Sequence, residues 1–169
     1  KLGSGGIDLG AILTQRPAIR KPSFTGRVAT GKKVMLSAAE DLKRVTLELG
    51  GNDPAIVLDD VVPADILDGL FWGAFQNSGQ VCAAIKRLYV HEKVYEPIVA
   101  GLIERAKSVK VGNGMEADTM LGPINNQMQL DKVMGMVDDA RKGGGKVETG
   151  GQRLEGKGYF YPPTIVTNA

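Results

Sequence analysis

The sequence predicts an α/β protein, a three-layer sandwich with a mainly parallel sheet, and two observations support this. Stretches with apolar residues at every second position alternate along the chain with stretches that carry apolar residues at helical spacing. Strands that alternate with helices favour crossover connections, which place neighbouring strands parallel to one another. The composition agrees, since 43% of the 169 residues are hydrophobic and 24% are charged, as in a globular protein with a real core.

The first part of the chain predicts two helices and two strands. They are, in order, a helix at residues 7–13, an extended segment at 18–26, a helix at 30–39 and a strand at 44–49. Pro22 lacks the N–H that a strand ladder needs, so the extended segment is expected to be an edge strand or to lose its pairing there. In the second strand Glu48 ends the polar face. Gly50-Gly51 follow, and this pair lets a ligand or another segment come close.

The rest of the chain continues the alternation. The predicted elements are a short buried strand at 54–58, a helix at 63–75, a strand at 88–90, helices at 94–106 and 130–140, and extended runs near Val147 and at 159–166. Pro63 suits the first turn of a helix, where its missing N–H has no helical partner. Residues 77–80 (Asn-Ser-Gly-Gln) form a turn-forming cluster, which places Cys82 at an element boundary.

Charge and cysteine content exclude several classes of function. The formal net charge is +2 and no face shows clustered Lys and Arg, so no nucleic acid partner is expected. No segment reaches the run of about 18 apolar residues that spans a membrane, so no membrane partner is expected. One cysteine cannot form an internal disulfide, which favours a reducing compartment, here the cytoplasm. We expect no metal site.

Residues 26–32 match the spacing of a phosphate-binding loop, with Gly26, Gly31 and Lys32 in the diagnostic places. Lys33 stands where that mechanism requires a Ser or Thr hydroxyl to hold magnesium, so a nucleoside triphosphatase is not favoured. The glycine-rich turn before a helix still allows backbone amides to face a phosphate.

Cys82 and Glu48 are the candidates for chemistry, and each has an ordinary structural alternative. A turn before a new element offers backbone amides that favour a thiolate and stabilise an oxyanion, whereas a buried cysteine is usually a packing residue. Glu48 is a candidate general base if it lies in a cleft and a surface residue otherwise. His91, the only histidine, lies beside charged residues and is interpreted as a surface residue.

Three short motifs follow one another along the chain at a distinctive separation. They are Phe24-Thr25-Gly26, the stretch 47–54 (Leu-Glu-Leu-Gly-Gly-Asn-Asp-Pro) and the stretch 77–82 (Asn-Ser-Gly-Gln-Val-Cys). Gly122-Pro123-Ile124 and residues 158–164 continue the pattern. Together they closely resemble the aldehyde dehydrogenase superfamily, and the resemblance extends over essentially the whole chain.

The resemblance implies a role for each matched position. Cys82 attacks the aldehyde as a thiolate, the thiohemiacetal passes hydride to the nicotinamide of NAD or NADP, and a thioester is left. Glu48 activates the water that releases the carboxylic acid. The Cys82 amide supplies one oxyanion donor. The positions implied to lie near the cofactor are Thr25, Gly26, Leu49 and Gly50.

The resemblance also implies that the chain is an internal piece of such an enzyme. Residues 1–50 are expected to be the end of the dinucleotide-binding domain, and residues 51–169 the first part of the catalytic domain. The family's upstream oxyanion asparagine and downstream ribose-binding glutamate motif have no match here, so the isolated chain is expected to be inactive. Arg27 departs from the family pattern, which has Ser there. The expected partners are a small aldehyde substrate and further copies, in a dimer or tetramer of the parent enzyme.

Two interpretations from other classes stay open at the level of sequence. One is a non-enzymatic structural or interaction module that keeps the fold without the activity. The other is a thiol hydrolase or acyl-transfer enzyme that uses Cys82 and Glu48 without a cofactor, since the thioester half of the implied mechanism is already acyl transfer.

Overall fold

A computed structural model describes the backbone of residues 6–169 and the side chains from residue 9 onward. The chain divides into two compact units, which meet in sequence between Gly51 and Asn52. The first predicted helix is present, although the side chain of Ile7 lies outside the described residues. Within the described range no helix combines the length and apolar character needed to cross a membrane.

The first unit contains two helices and a two-stranded parallel sheet. The elements are α1 (Gly6–Gln15), β1 (Ser23–Gly26), α2 (Val28–Ala39) and β2 (Thr46–Leu49). The segment predicted as extended from residue 18 pairs as a strand only after Pro22, where β1 begins, in agreement with the expected loss of pairing at this proline. The Pro22 carbonyl still accepts a hydrogen bond from the Thr46 N–H at 3.1 Å.

Helix α2 rests closely on strand β2 at Gly31. A Cβ atom at this buried position would lie 2.7 Å from Cδ2 of Leu49, so only glycine lets the two elements meet without movement of Leu49. The second glycine of the phosphate-loop spacing therefore has a packing role. The predicted alternation in β2 is confirmed, since Leu47 and Leu49 are half-buried and Glu48 is exposed.

The second unit contains a strand–helix–strand crossover followed by two helices and a hairpin-like pair of strands. The elements are β3 (Asp53–Val57), α3 (Pro63–Phe75), β4 (Ile85–Val90), α4 (Glu92–Ser108), α5 (Gln127–Lys142), β5 (Lys146–Thr149) and β6 (Ile165–Thr167). Strands β3 and β4 pair in parallel across α3, and β5 pairs with β6 in antiparallel fashion. The predicted α/β class with mainly parallel strands is confirmed.

The main core of the second unit lies between α3, α4 and one face of the β3–β4 sheet. Phe71 of α3 and Ile98 of α4 are 0% exposed and pack with Val57 of β3. The short strand predicted at 54–58 is present as β3, but its predicted burial holds for one face only, because this core covers one face of the sheet. Ile56, which points the other way, is 72% exposed.

A smaller core joins α5 to the last segment of the chain. Its buried members are Ile124, Leu130, Val137 and Tyr161. The extended run predicted at 159–166 forms a strand only at its end, because Pro162 and Pro163 have no N–H for a ladder. The Tyr159 carbonyl instead accepts a hydrogen bond from the Ile124 N–H at 2.9 Å.

Candidate active site

The backbone just before Cys82 has an unusual conformation. Helix α3 ends at Phe75, and within the following turn Asn77, Ser78 and Gly79 have φ of 52°, 56° and 73°. Glycine adopts this left-handed region freely and asparagine tolerates it, but serine does so only when its surroundings impose it. Strained backbone of this kind concentrates at functional sites, which singles out the turn.

Hydrogen bonds to the Gly122-Pro123-Ile124 motif hold the turn in place. The Ser78 hydroxyl donates to the Gly122 carbonyl at 2.8 Å, and the Gln80 amide donates to the Pro123 carbonyl at 3.2 Å. The Gln80 side-chain oxygen in turn accepts from the Asn125 N–H at 2.7 Å. The two motifs, far apart in the sequence, thus form one structure.

A shallow cleft lies beside this structure. It has a volume of about 490 Å³ and is lined by Asn77, Gln80, Pro123, Ile124, Asn125 and Tyr159. The cleft is lined by side-chain amides and by apolar residues at the edge of the smaller core. Such a lining suits a small molecule that has both an apolar part and a polar group.

Cys82 lies in the turn between Gln80 and strand β4, at the predicted element boundary. Its thiol is exposed and forms no disulfide. Within this chain Cys82 is thus not packed in a core, and its side chain is accessible to a reactant.

The ammonium group of Lys86, an exposed residue, binds backbone carbonyls of the turn that contains Cys82. Its Nζ donates to the carbonyl oxygens of Val81, Cys82 and Ala84 at 3.2, 3.0 and 2.8 Å. The Ala84 N–H also donates to the Val81 carbonyl at 3.2 Å, which closes the turn. Sequence reasoning missed Lys86, since its only signal was a lysine at the start of a strand shortly after the cysteine.

The other predicted site residues lie together in the first unit. In the parallel register of β1 and β2, Thr25 lies opposite Glu48 and Gly26 lies opposite Leu49. Gly50 follows directly, so all of these residues lie at the carboxyl ends of the two strands. Ligands of α/β proteins bind at this edge of a parallel sheet. Glu48 is exposed there rather than packed.

His91 serves as a helix cap. It is exposed, as predicted, and its Nδ1 accepts a hydrogen bond from the Lys93 N–H at 3.3 Å at the start of α4. The Lys93 ammonium donates to the Asp59 carboxylate at 2.6 Å and holds the pKa of that carboxyl below its ordinary value. His91 and Lys93 therefore have structural roles at the start of α4.

The parallel strand–helix–strand units place the chain among the α/β proteins. The model of the aldehyde dehydrogenase family matches residues 2–169, and the chain belongs to this family.

Individual relatives agree with this assignment. A probable aldehyde dehydrogenase from Pseudomonas sp is 45% identical over 163 residues, which are 96% of this chain and 33% of the relative. A probable betaine aldehyde dehydrogenase from Schizosaccharomyces pombe is 40% identical over 99% of this chain and 33% of its own length. The chain therefore spans about a third of the length of the curated relatives that it matches.

Solved structures share the fold of the chain. The NAD+ complex of aldehyde dehydrogenase from Bacillus cereus superimposes with a TM-score of 0.94 at 41% identity, covering 98% of this chain and 34% of that one. Succinate-semialdehyde dehydrogenase from Burkholderia pseudomallei gives a TM-score of 0.93 at 36% identity, covering 97% and 34%.

Proposed function

We propose that the chain carries the nucleophile and the general base of an NAD(P)-dependent enzyme that oxidises an aldehyde to a carboxylic acid. The observation that carries the proposal is the exposed Cys82, which follows shortly after the strained turn at residues 77–79. Hydrogen bonds hold the backbone before it through Ser78 and the backbone around it through Lys86. Membership of the aldehyde dehydrogenase family supports aldehyde oxidation as the reaction of that thiol. We propose only the chemical class of the substrate, an aldehyde, because the names of the relatives give different aldehydes.

In the proposed mechanism the Cys82 thiolate attacks the carbonyl carbon of the aldehyde and forms a carbon–sulfur bond. The carbonyl oxygen becomes an oxyanion, which the backbone N–H of Cys82 stabilises. When bound, NAD(P) supplies the acceptor for the hydride that leaves this carbon, and a thioester on Cys82 results. The Glu48 carboxylate then takes a proton from water. That water attacks the thioester carbonyl, and the carbon–sulfur bond breaks to release the acid.

The residues proposed to hold the cofactor fit such a group. Thr25, Gly26, Leu49 and Gly50 lie at the open carboxyl ends of two parallel strands, and α2 begins at Val28 directly after the first strand. Backbone amides at the start of a helix are suited to a phosphate. We accordingly assign residues 1–50 to the end of a dinucleotide-binding domain and residues 51–169 to the first part of a catalytic domain.

The proposed setting follows from the chemistry. A reactive thiolate needs a reducing compartment, and we propose the cytoplasm on that basis. For the complete enzyme we propose a dimer or tetramer of identical chains, as the resemblance implies.

The test places this chain in a complete enzyme. The matching third of the Bacillus cereus aldehyde dehydrogenase is replaced by this chain, and aldehyde oxidation is followed by the absorbance of the reduced cofactor. We expect turnover from the chimaera and none from the 169-residue chain alone. Cys82→Ala is expected to lower turnover by about three orders of magnitude or more, as removal of a covalent nucleophile does.

Met115→Ala is the control, since this side chain is 91% exposed in the loop after α4. Its chimaera should keep the parent rate. Turnover that survives Cys82→Ala would refute the proposed nucleophile. Ester hydrolysis at Cys82 that proceeds without any dehydrogenase activity would favour acyl transfer instead.

A further inference from the structure

Lys86 uses its whole hydrogen-bonding capacity on residues 81–84, the turn that contains Cys82. An ammonium group has three N–H donors, and the structure gives Nζ three carbonyl acceptors, those of Val81, Cys82 and Ala84. Ordering a lysine side chain costs more rotamer entropy than ordering most others, so a surface lysine is usually left to solvent. Its neighbour Arg87 reaches out to the Asn52 carbonyl and lies outside this turn.

The bound carbonyls determine the direction of the amides that carry the chemistry. In a trans peptide unit the N–H points opposite to the C=O, and the peptide bonds of this turn are trans. Since the Val81 carbonyl points at Nζ, the Cys82 N–H of the same unit points away from Lys86. The Ala83 N–H points away from Lys86 as well, because the Cys82 carbonyl is bound.

The ammonium also balances the charge of the turn. Three carbonyl oxygens of this turn converge on Lys86 Nζ, and their partial negative charge disfavours an oxyanion close by. Binding to a cation neutralises that side of the turn and leaves the other side to the N–H donors. Lys86 thus separates acceptors from donors around Cys82.

We infer that Lys86 is a positioning residue, which directs the Cys82 amide toward the oxyanion formed when the thiol attacks a carbonyl. This inference rests on the proposed role of Cys82 as the nucleophile. Lys86 touches neither substrate nor cofactor in this account and acts through the peptide planes that it holds.

The test compares two reactions of the same thiol in the full chain. With p-nitrophenyl acetate the sulfur forms a bond to the acetyl carbon, the ester carbon–oxygen bond breaks, p-nitrophenolate leaves with the electron pair, and the thiol proton goes to water. This reaction passes through an oxyanion. With iodoacetamide the sulfur displaces iodide and no oxyanion forms. Because the chain has one cysteine, both products are assigned to Cys82 by mass spectrometry.

Lys86→Met keeps the length of the side chain and removes the ammonium. We expect the ratio of the acylation rate to the alkylation rate to fall about tenfold, less than the 10²–10³ loss seen when an oxyanion donor is removed outright. Lys86→Arg restores the charge and several donors and should lie closer to the wild type. Lys142→Met, which removes an exposed lysine at the end of α5, should leave the ratio unchanged.

The possible outcomes distinguish a failure of the inference on Lys86 from a failure of the proposed role of Cys82. If Lys86→Met lowers both rates equally or neither, the inference is overturned while the role of Cys82 stands. If the wild-type thiol is alkylated but not acylated, the proposed nucleophile itself fails and the inference falls with it. Circular dichroism of each variant checks folding, and Lys86→Arg provides the comparison if Lys86→Met does not fold.

Discussion

Among the glycines that the structure describes, Gly150 occupies a position with little room for a side chain. Its φ is +71°, and an added Cβ would lie 2.6 Å from Oγ1 of Thr164 and against the Pro163 carbonyl oxygen. We expect Gly150→Ala to lower the free energy of unfolding by about 1–2 kcal/mol from the left-handed conformation alone, and further from the clash. Gly114→Ala is the control in denaturant unfolding, since nothing lies within 4 Å of its added Cβ. Equal losses in both variants would contradict this explanation.

Glu148 links stability to pH. The Thr167 hydroxyl donates to its carboxylate at 2.7 Å, Lys146 pairs with it at 3.0 Å, and both lower its pKa from the ordinary value of 4.5, the hydroxyl most. A carboxylate whose pKa is lower in the folded than in the unfolded state stabilises the fold at pH values above the unfolded pKa. This stabilisation is lost as the pH falls through the folded pKa.

Glu148→Gln is expected to destabilise the chain at neutral pH and to equal the wild type in acid. The difference between the two unfolding free energies should therefore shrink as the pH falls below 4.5, whereas exposed Glu155→Gln should show no such trend. Denaturant titrations of each variant at several pH values measure this difference in unfolding free energy. A difference that stays constant with pH would argue against the hydrogen-bonded carboxylate.

The sequence predicted single residues well where the signal was local. The period of two placed Glu48 on the exposed face of a strand, and the turn-forming cluster placed Cys82 at an element boundary. Lys86 and the left-handed Ser78 were not predicted. The conformation of Ser78 depends on Gly122, which only the fold brings near, and the geometry of Lys86 depends on the backbone carbonyls of the turn that its ammonium group binds.

At the scale of elements, the helices were predicted better than the strands. Each helix carries several turns of apolar stripe, so its period is clear, and α3 begins at Pro63 as expected. A strand of three to six residues carries little periodicity, and prolines shortened both β1 and β6. Burial of β3 was also overestimated, because periodicity does not say how many faces of a sheet are covered.

Helix α4 should stabilise its unit mainly through the buried stripe. Ile98 is 0% exposed between α3 and the sheet, so we expect Ile98→Ala to cost about 2–5 kcal/mol of unfolding free energy. Ile56→Ala is the matched control, since this isoleucine is 72% exposed on the open face of β3, and it should cost far less. Similar losses in urea unfolding would mean that the core is misplaced.

At the scale of the whole molecule, the class of fold followed from the alternation of strands and helices. The family followed from the order and separation of short motifs, since any one of them alone is unspecific. The structure adds a reason for two of these motifs, because residues 77–80 and 122–125 bind one another through Ser78 and Gln80. The antiparallel pairing of β5 with β6 was not foreseen, because strand partners depend on contacts between distant parts of the chain.

The measurement that tests the central claim most directly is the capture of the thioester on Cys82. In the chimaera with the Bacillus cereus enzyme, Glu48→Gln removes the proposed base, so the acyl group formed from an aldehyde and NAD(P) should remain on the sulfur. Mass spectrometry is expected to find the mass of that acyl group on the Cys82 peptide, lost on treatment with hydroxylamine and absent without cofactor. Continued aldehyde oxidation with Cys82 unmodified, or an acyl group on another residue, would contradict the account.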